Sequence, residues 1–323
     1  MGLELPAEKR KALHMQKVHL DTDLGGDIDD LCALALLLAW PGGVDLTGVS
    51  VVGDTAGRRT GYTRYALDLA GSPQVPVAAG ADTSGGYYPY ELGLPPEERY
   101  WPAPVAPHPN PVEEALDLLE QSIDQGALLI GIGPTTNLAL LERRRPGILA
   151  RANLVLMGGY VFPVRPGYPH WGNDMDFNFQ VDVRSAQFVL ERSNPLLVPL
   201  SVTVETALRR ADLPALSAAG PLARLIARQA EQFAVDEQNE TRIGAVCAGL
   251  PDDLINFQHD PLACAVALGW REGIEIEEVR ISIEEKDGLL YERPDPAGRP
   301  FRVVTRVDGE RFDRFWLEQV TRL

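Results

Sequence analysis

Short apolar runs alternate with segments of helical periodicity along the first two thirds of the chain. The apolar runs predict strands at residues 18–21, 45–53, 75–81, 127–133, 153–159 and 196–202. The helical patterns lie between them, at residues 29–40, 59–69, 112–123, 136–142 and 183–191. This alternation is typical of βαβ units, and strands that are apolar along their whole length indicate a sheet covered on both faces.

The pattern therefore predicts an α/β fold, with an open, mainly parallel, doubly wound sheet and helices on both faces. Near the C-terminus it predicts a strand pair followed by a terminal helix over residues 313–323. With 323 residues, 45% of them hydrophobic, we expect a single domain over residues 1–323, in which residues 1–16 form an N-terminal extension.

Polar residues follow four of the predicted strands. They are the stretch DTDLGGDIDD at 21–30, Asp54, GPTTN at 133–137 and GGY at 158–160. Ligands of open parallel sheets bind at the carboxyl ends of the strands. Loops are polar in any case, but the recurrence at four strand ends favours a single binding crevice.

The first of these loops is unusually acidic. It holds five aspartates within ten residues, Asp21, Asp23, Asp27, Asp29 and Asp30. No Lys or Arg lies between Lys17 and Arg58, so the simplest counter-charge is a bound cation. The start of the following helix could hold one or two carboxylates without metal. Oxygen ligands alone indicate a hard ion, calcium or magnesium, and an EF-hand is excluded because Cys32 replaces its final glutamate.

Two connections are long enough to act as lids, at residues 82–111 and 160–179. The first is rich in aromatic residues, namely Tyr87, Tyr88, Tyr90, Tyr100 and Trp101. These rings could stack on a flat ligand over the crevice, or they could anchor a long loop to the protein. The sequence leaves both interpretations open.

Charge and cysteine content narrow the class of partner. The net charge of −16 disfavours nucleic acid and anionic membranes, so a small molecule is the expected ligand. Cys32, Cys247 and Cys264 lie in apolar or small-residue contexts, as core thiols of a reduced compartment do. The N-terminal residues lack an apolar signal core and the apolar run at 31–40 is too short to span a bilayer, so we expect a cytoplasmic protein.

A second acidic position lies in the stretch HDPLACAVAL. Asp260 is the expected N-cap of a helix that has Pro261 at its first position, and His259 precedes it. Taken alone, both are ordinary residues of a helix start. Both become candidate site residues if this turn lies against the acidic loop.

Several motifs together resemble one known family, the nucleoside hydrolases of the inosine-uridine type. The chain contains, in the family's order, DTDLGGDIDD, GPTTNLAL, NLVLMGG, the GN…DFNF stretch at 172–179, LSVTVETAL and HDPLACAVAL. The resemblance covers residues 17–323. It implies an open α/β sheet, calcium, a homodimer or homotetramer, and hydrolysis of the bond between ribose and base.

The resemblance also assigns roles to particular residues. Asp23 would bind calcium and activate the attacking water, and His259 would protonate the leaving base. Further calcium ligands would be Asp30, Asp260 and the backbone carbonyl of Thr136. The residues implied to bind the sugar are Asp29, Asp54, Asn173, Asp176 and Asn178.

These residue types suit cleavage of an N-glycosidic bond. Positive charge develops on the sugar as the bond breaks, and a carboxylate-rich pocket stabilises it. The chain departs from the family at several points: two extra residues let Asp27 compete with Asp29, Leu24 replaces a proline, and Asp176 replaces a glutamate. At the place in the first lid where some pyrimidine-preferring members have a histidine, this chain has none. The preferred base therefore stays open.

Two other functions fit parts of the sequence. A haloacid-dehalogenase-like phosphohydrolase also has an Asp-x-Asp motif after its first strand, and Asp252 and Asp253 could supply its later acidic pair. That family needs a lysine near a later strand, and none occurs between Lys17 and Lys286. A calcium-dependent ribose-binding relative without turnover would share all the motifs.

Overall fold

The structure is a computed structural model and describes residues 15–82 and 93–323. Its strands are β1 (Gln16–Thr22), β2 (Val44–Val51), β3 (Val77–Ala79), β4 (Leu128–Gly131), β5 (Asn153–Met157), β6 (Leu196–Val198), β7 (Leu208–Arg209), β8 (Leu254–Asn256), β9 (Glu275–Lys286), β10 (Leu289–Pro294) and β11 (Arg299–Arg306). Its α-helices are α1 (Asp29–Leu38), α2 (Arg58–Leu69), α3 (Glu97–Tyr100), α4 (Val112–Asp124), α5 (Thr136–Arg144), α6 (Phe177–Gln180), α7 (Val183–Arg192), α8 (Leu200–Thr203), α9 (Leu213–Ala218), α10 (Pro221–Glu237), α11 (Asn239–Arg242), α12 (His259–Ala267) and α13 (Gly309–Val320).

The central sheet has nine strands in the order β10-β9-β11-β6-β5-β4-β1-β2-β3. Neighbouring strands from β11 to β3 are parallel, whereas β9 and β10 pair antiparallel at one edge. The predicted class, an open and mainly parallel α/β sheet, is confirmed. The chain winds outward from β1 to β3 and then from β4 to β6, so the winding direction reverses between β1 and β4. A crevice forms at such a reversal.

Helix α1 shows why this chain folds as it does around β1. Asp29 and Asp30 occupy its first turn, where the free backbone N–H groups favour negative charge. The rest of the helix is apolar and buried against α12 and α13, and the Trp316 indole donates a hydrogen bond to the Cys32 carbonyl at 3.1 Å. Cys32 and Cys264 are buried core residues, as expected, whereas Cys247 is partly exposed.

Three sequence predictions differ from the structure. The strand expected over 196–202 ends at Val198, because Leu200–Thr203 turns into α8. The C-terminal strand pair is a set of three strands, since β10 carries a buried Glu292 and ends at Pro294, which weakens its apolar signal. Asp260 lies inside the first turn of α12 and Gln258 is the N-cap residue.

Residues 203–258, for which the sequence pattern predicts no element, contain a small second sheet and the long helix α10. Strands β7 and β8 pair antiparallel and position the chain just before α12. Helix α10 has Pro221 at its first position and buries one apolar face. Among the described residues, no helix is both long enough and apolar enough to cross a membrane.

The aromatic residues of the first long connection fall into two groups. Tyr87, Tyr88 and Tyr90 lie outside the described residues. Tyr100 and Trp101 are buried, and the Trp101 ring stacks on Tyr62 of α2 with a centroid distance of 4.3 Å. For these two rings the structure therefore supports the anchoring interpretation.

Candidate active site

Three carboxyl groups meet where the loop after β1 approaches the start of α12. Asp29, Asp30 and Asp260 each offer an oxygen atom, and these atoms lie within 4.8 Å of one another. The backbone N–H of Asp260 donates to Asp29 Oδ2 at 3.3 Å, and the Thr22 hydroxyl donates to Asp30 Oδ1. All three side chains are buried. The two segments that the sequence could only suspect of meeting are therefore in contact.

Burial and mutual repulsion dominate the electrostatics of this acidic cluster, Asp29, Asp30 and Asp260. Burial raises the pKa of all three carboxyls well above their usual range, and the neighbouring aspartates raise each pKa further. Such a group of carboxyls either retains protons or binds a cation. Within the part of the chain that the structure describes, the donor set consists of carboxyl groups alone. Burial raises the pKa of the adjacent Cys32 and Cys264 thiols, so these stay protonated. The donors fit a hard divalent cation.

Asp23 borders the acidic cluster without belonging to the 4.8 Å set. Its charge raises the pKa of Asp29, Asp30 and Asp260, so it lies close to all three. A Cβ atom on Gly133, in the loop after β4, would lie 2.7 Å from Asp23 Oδ1. The glycine of the GPTT loop thus makes room for the Asp23 carboxylate at the β1/β4 crevice.

The chain itself supplies a positive charge to the acidic loop, contrary to the argument from sequence. Arg59 is buried, and its Nε donates to the Gly53 carbonyl at 2.9 Å while Nη1 donates to the Asp23 carbonyl. Its charge lowers the pKa of Asp23 and Asp30, against the larger effect of burial. One guanidinium cannot neutralise the acidic cluster and Asp23 together, so the case for a further cation stands.

Asp27 and Asp29, the two alternatives for the first acid of the family's adjacent pair, lie in different surroundings. Asp27 Oδ1 accepts hydrogen bonds from the Ile28 amide at 2.5 Å and from Asn256 Nδ2 of β8 at 2.5 Å. The Asp29 carboxyl instead belongs to the acidic cluster. Asp27 thus fastens the start of α1 to β8, which leaves Asp29 as the better candidate for contact with a ligand.

Two further predicted residues stand at helix starts. Asp54 is buried, and its carboxylate accepts hydrogen bonds from the Arg59 and Thr60 amides at 2.8 and 2.9 Å, at the beginning of α2. Thr136 opens α5, and its hydroxyl donates to Asp182 Oδ2 at 2.6 Å. Among the described residues, two buried atoms nearby have no hydrogen-bond partner: Asp21 Oδ2 at the end of β1 and Thr135 Oγ1 in the loop after β4. Unpaired polar atoms of this kind are expected where a ligand or ion binds.

The segment 173–178 crosses the carboxyl ends of β4 and β5. Asn178 Nδ2 donates to the Ile132 and Met157 carbonyls at 2.9 and 3.0 Å, which ties the segment to both strands. Asn173 Nδ2 donates to the Leu290 carbonyl of β10 at 3.2 Å. Asp176 is buried and accepts a hydrogen bond from the Gly159 amide at 2.7 Å. The segment that the resemblance assigns to sugar binding is therefore held at the crevice edge.

His259 begins α12 next to the acidic cluster. Its Nδ1 lies 2.7 Å from the Thr203 hydroxyl of α8, and its ring packs on Phe257, which contacts Trp171 edge to face. Burial lowers the pKa of His259 to about 3, so the imidazole is neutral at neutral pH. A neutral ring can still donate one N–H to a ligand.

Sequence reasoning missed several residues that build the site. Arg59, Thr203 and Glu292 all contact predicted site residues or the loops that carry them. Thr203 stands inside the motif LSVTVETAL, which is its signal in the sequence, whereas Arg59 and Glu292 stand in no recognisable motif. Arg59 closely follows Asp54 at a predicted helix start, and Glu292 has no such signal.

Comparison with known proteins agrees with this geometry. The family model described as inosine-uridine preferring nucleoside hydrolase matches residues 18–314. This chain belongs to that family, and it is accordingly a ribonucleoside hydrolase that cleaves the N-glycosidic bond. The predicted resemblance is confirmed.

Individual relatives show how far the similarity extends. The pyrimidine-specific ribonucleoside hydrolase RihA of Salmonella paratyphi A is 28% identical over 273 residues, which cover 77% of each chain. A purine-preferring ribonucleoside hydrolase from Gardnerella vaginalis has a TM-score of 0.73 at 20% identity, covering 95% of this chain and 98% of that one. An inosine-uridine preferring nucleoside hydrolase from Bacillus anthracis has a TM-score of 0.64 at 22% identity, covering 96% and 100%. At these identities the two structures support the fold alone.

Proposed function

We propose that this enzyme hydrolyses ribonucleosides to ribose and free base in a calcium-dependent reaction. The observation that carries the proposal is the acidic cluster, which joins the loop after β1 to the start of α12 with buried oxygen donors only. Oxygen donors of this type favour Ca²⁺ or Mg²⁺, and the family resemblance selects calcium. The proposed ligands are Asp23, Asp30, Asp260 and the Thr136 carbonyl, with Asp29 as a neighbouring carboxylate.

Each site residue has a proposed role in the reaction. When bound, calcium would hold ribose hydroxyls and lower the pKa of a water molecule. Asp23 would act as the base for the attacking water, since its carboxylate stands at the β1/β4 crevice and burial raises its pKa. Asp29 and Asp54 would bind ribose hydroxyls.

The segment 173–178 completes the proposed sugar site. Asn173, Asp176 and Asn178 would bind the remaining hydroxyls, and the carboxylates of the pocket stabilise the positive charge that develops on the sugar. Tight fixation of Asn178 to two strand ends supports a pre-organised site.

His259 is the proposed group that assists the leaving base. Because its ring is neutral, it would act as a hydrogen-bond donor through Nε2 when Thr203 donates to Nδ1. The names of the relatives include both pyrimidine-specific and purine-preferring enzymes, so we propose no single base.

The test measures ribose release from inosine, uridine, cytidine, adenosine and guanosine by a reducing-sugar assay. We expect release that a chelator abolishes and calcium restores. Asp23→Asn should lower kcat by at least roughly 100-fold, the lower range of a lost general base. Asp45→Asn, the same change at an exposed position of β2, serves as the control. Binding without turnover would indicate a ribose-binding relative instead, and phosphate release from a phosphomonoester with magnesium would favour a dehalogenase-like enzyme.

We further propose that the active species is a cytoplasmic homodimer or homotetramer built from one domain per chain, as the family resemblance implies. Light scattering on the purified enzyme measures the mass of this species, and a monomeric mass would contradict the proposal.

A further inference from the structure

A pair of buried carboxyls, Asp176 and Glu292, joins the sugar-binding segment to the C-terminal hairpin. Asp176 and Glu292 each expose only 1% of their surface. The Gly159 amide donates to Asp176 Oδ2 at 2.7 Å, and the next amide, Tyr160 N–H, donates to Glu292 Oε2 at 3.2 Å. Two consecutive peptide groups thus hold the two carboxyls side by side.

The Phe179 amide also faces the Asp176 carboxyl, but each carboxyl of the pair has one oxygen without a well-formed hydrogen bond from the described residues. Among the described residues, Asp176 Oδ1 and Glu292 Oε1 are buried without a hydrogen-bond partner, and neither residue forms an ion pair. Burial and the neighbouring carboxylate raise the pKa of Asp176, and burial raises the pKa of Glu292 to about 7. Two unpaired carboxylates without a cation would repel strongly, whereas one shared proton gives each free oxygen a partner.

Other charged groups nearby have their own partners or face solvent. The Tyr160 hydroxyl donates to the Trp171 carbonyl, Asp182 accepts from Thr136 and Ser185, and Arg293 lies over the Tyr291 ring. The exposed groups on the neighbouring elements are Asp174, Arg184, Glu284 and Glu285. The titration of the pair is therefore governed by its two members.

We propose that Glu292 is a positioning residue of the sugar site, which shares one proton with Asp176 and thereby holds the segment 173–178 in its binding geometry. The proposal deepens the proposed function and rests on the role given there to Asp176. The family usually has a glutamate where this chain has Asp176, and the aspartate side chain is shorter. Glu292 compensates for this difference, because strand β10, outside the motif at 172–179, places the Glu292 carboxyl against Asp176. Inward-facing Leu290 on the same strand binds Gln180 of α6 through its backbone, which fixes β10 there.

The first test is the pH dependence of KM, measured on the nucleoside that the wild-type enzyme hydrolyses best. The pair keeps one proton when Glu292 ionises at about pH 7, and the two carboxylates repel only once Asp176 ionises as well, so KM should rise several-fold as the pH is raised beyond 7. Glu292→Gln, whose amide can donate to Asp176, should abolish this rise of KM with pH. Glu285→Gln, the same change at an exposed position of the hairpin, should behave as wild type. A wild-type pH dependence retained in Glu292→Gln overturns the proposal, as does a loss of kcat alone.

The second test needs no substrate. The folded protein holds a proton that the unfolded chain has lost, so this pair makes the free energy of unfolding fall as the pH rises from 4.5 to about 7. In the calcium-loaded protein, Glu292→Gln should flatten the corresponding decline of Tm with pH, and Glu285→Gln should not. If the two variants differ in the pH dependence of Tm but the enzyme cleaves no nucleoside, the proposed proton sharing is supported and the proposed function is contradicted.

Two further measurements cover a variant that does not fold. In Asp176→Asn the side-chain amide at position 176 can donate to the Glu292 carboxylate. This variant should therefore also flatten the decline of Tm with rising pH. If neither variant folds, the infrared spectrum of the calcium-loaded wild type at pH 7 should contain the band of a protonated carboxyl group. Its absence overturns the proposal.

Discussion

At the scale of single residues, the site is defined by an imbalance of charge. The acidic cluster and Asp23 are opposed by the single guanidinium of Arg59. Burying an ionised carboxylate without compensation costs several kcal/mol, so the remaining negative charge must be removed by protons or by a cation. A divalent ion can supply the missing positive charge at neutral pH. Variants at Asp260 and Arg59 test separately a ligand of this ion and the charge that lies near it.

Asp260→Asn removes one carboxylate of the acidic cluster. We expect calcium affinity to fall at least roughly tenfold, because even indirect partners of metal ligands contribute 10- to 100-fold. Isothermal titration of calcium into the metal-free protein measures the change. Asp252→Asn, an exposed aspartate shortly before β8, is the matched control. Equal affinities in Asp260→Asn and wild type would show that the ion binds elsewhere.

Arg59→Met removes the internal positive charge. The calcium-free variant should be less stable by about 2 to 3 kcal/mol, since two buried carbonyls lose a charged donor. Calcium should bind more tightly, because one repulsive charge is gone. Urea unfolding with and without calcium measures both effects. Arg58→Met is the control, since that neighbouring guanidinium pairs with Glu97 at the surface. Weaker calcium binding in Arg59→Met would mean that Arg59 acts by holding Asp23 in place.

At the scale of elements, the parallel part of the sheet could be predicted because each strand is a short apolar run bounded by helical patterns. The antiparallel hairpin was predicted less well, because β10 carries Glu292 at an inward position where an apolar residue is expected. The contact between the first loop and α12 could be inferred only through the family resemblance. The role of Arg59 could not be predicted, since it depends on a backbone turn with positive φ at Ala56 and Gly57.

The loop after β4 is the element whose geometry constrains Asp23 most directly. In Gly133→Ala the new Cβ would lie 2.7 Å from Asp23 Oδ1 and 2.9 Å from a Val52 methyl, so the carboxylate must move. We expect kcat to fall roughly 100-fold, as displacements of about 1 Å can cause, with a smaller loss of stability. Steady-state kinetics and thermal unfolding separate the two. Gly93→Ala, where a Cβ would meet no atom of the described residues within 4 Å, is the control. Unchanged kcat would remove Asp23 from the proposed chemistry.

At the scale of the whole molecule, the net charge of −16 and the acidic cluster both favour cation binding. Calcium at 100 times its Kd should stabilise the fold by about 2.7 kcal/mol through mass action. This corresponds to a rise in Tm of roughly 5 °C, measured by calorimetry. Asp260→Asn should lose most of the rise at the same calcium concentration. An equal rise with any monovalent salt would instead reflect general screening.

The hydrogen bond from Asp260 to Asp29 joins positions 231 residues apart in the chain. During synthesis, the ribosome has therefore released β1, α1 and most of the sheet long before α12 emerges to complete the acidic cluster. The proposed calcium ion would bind with full affinity only after the acidic cluster is complete. The ion should for this reason leave the early folding rate unchanged and act by slowing the escape from the finished native state.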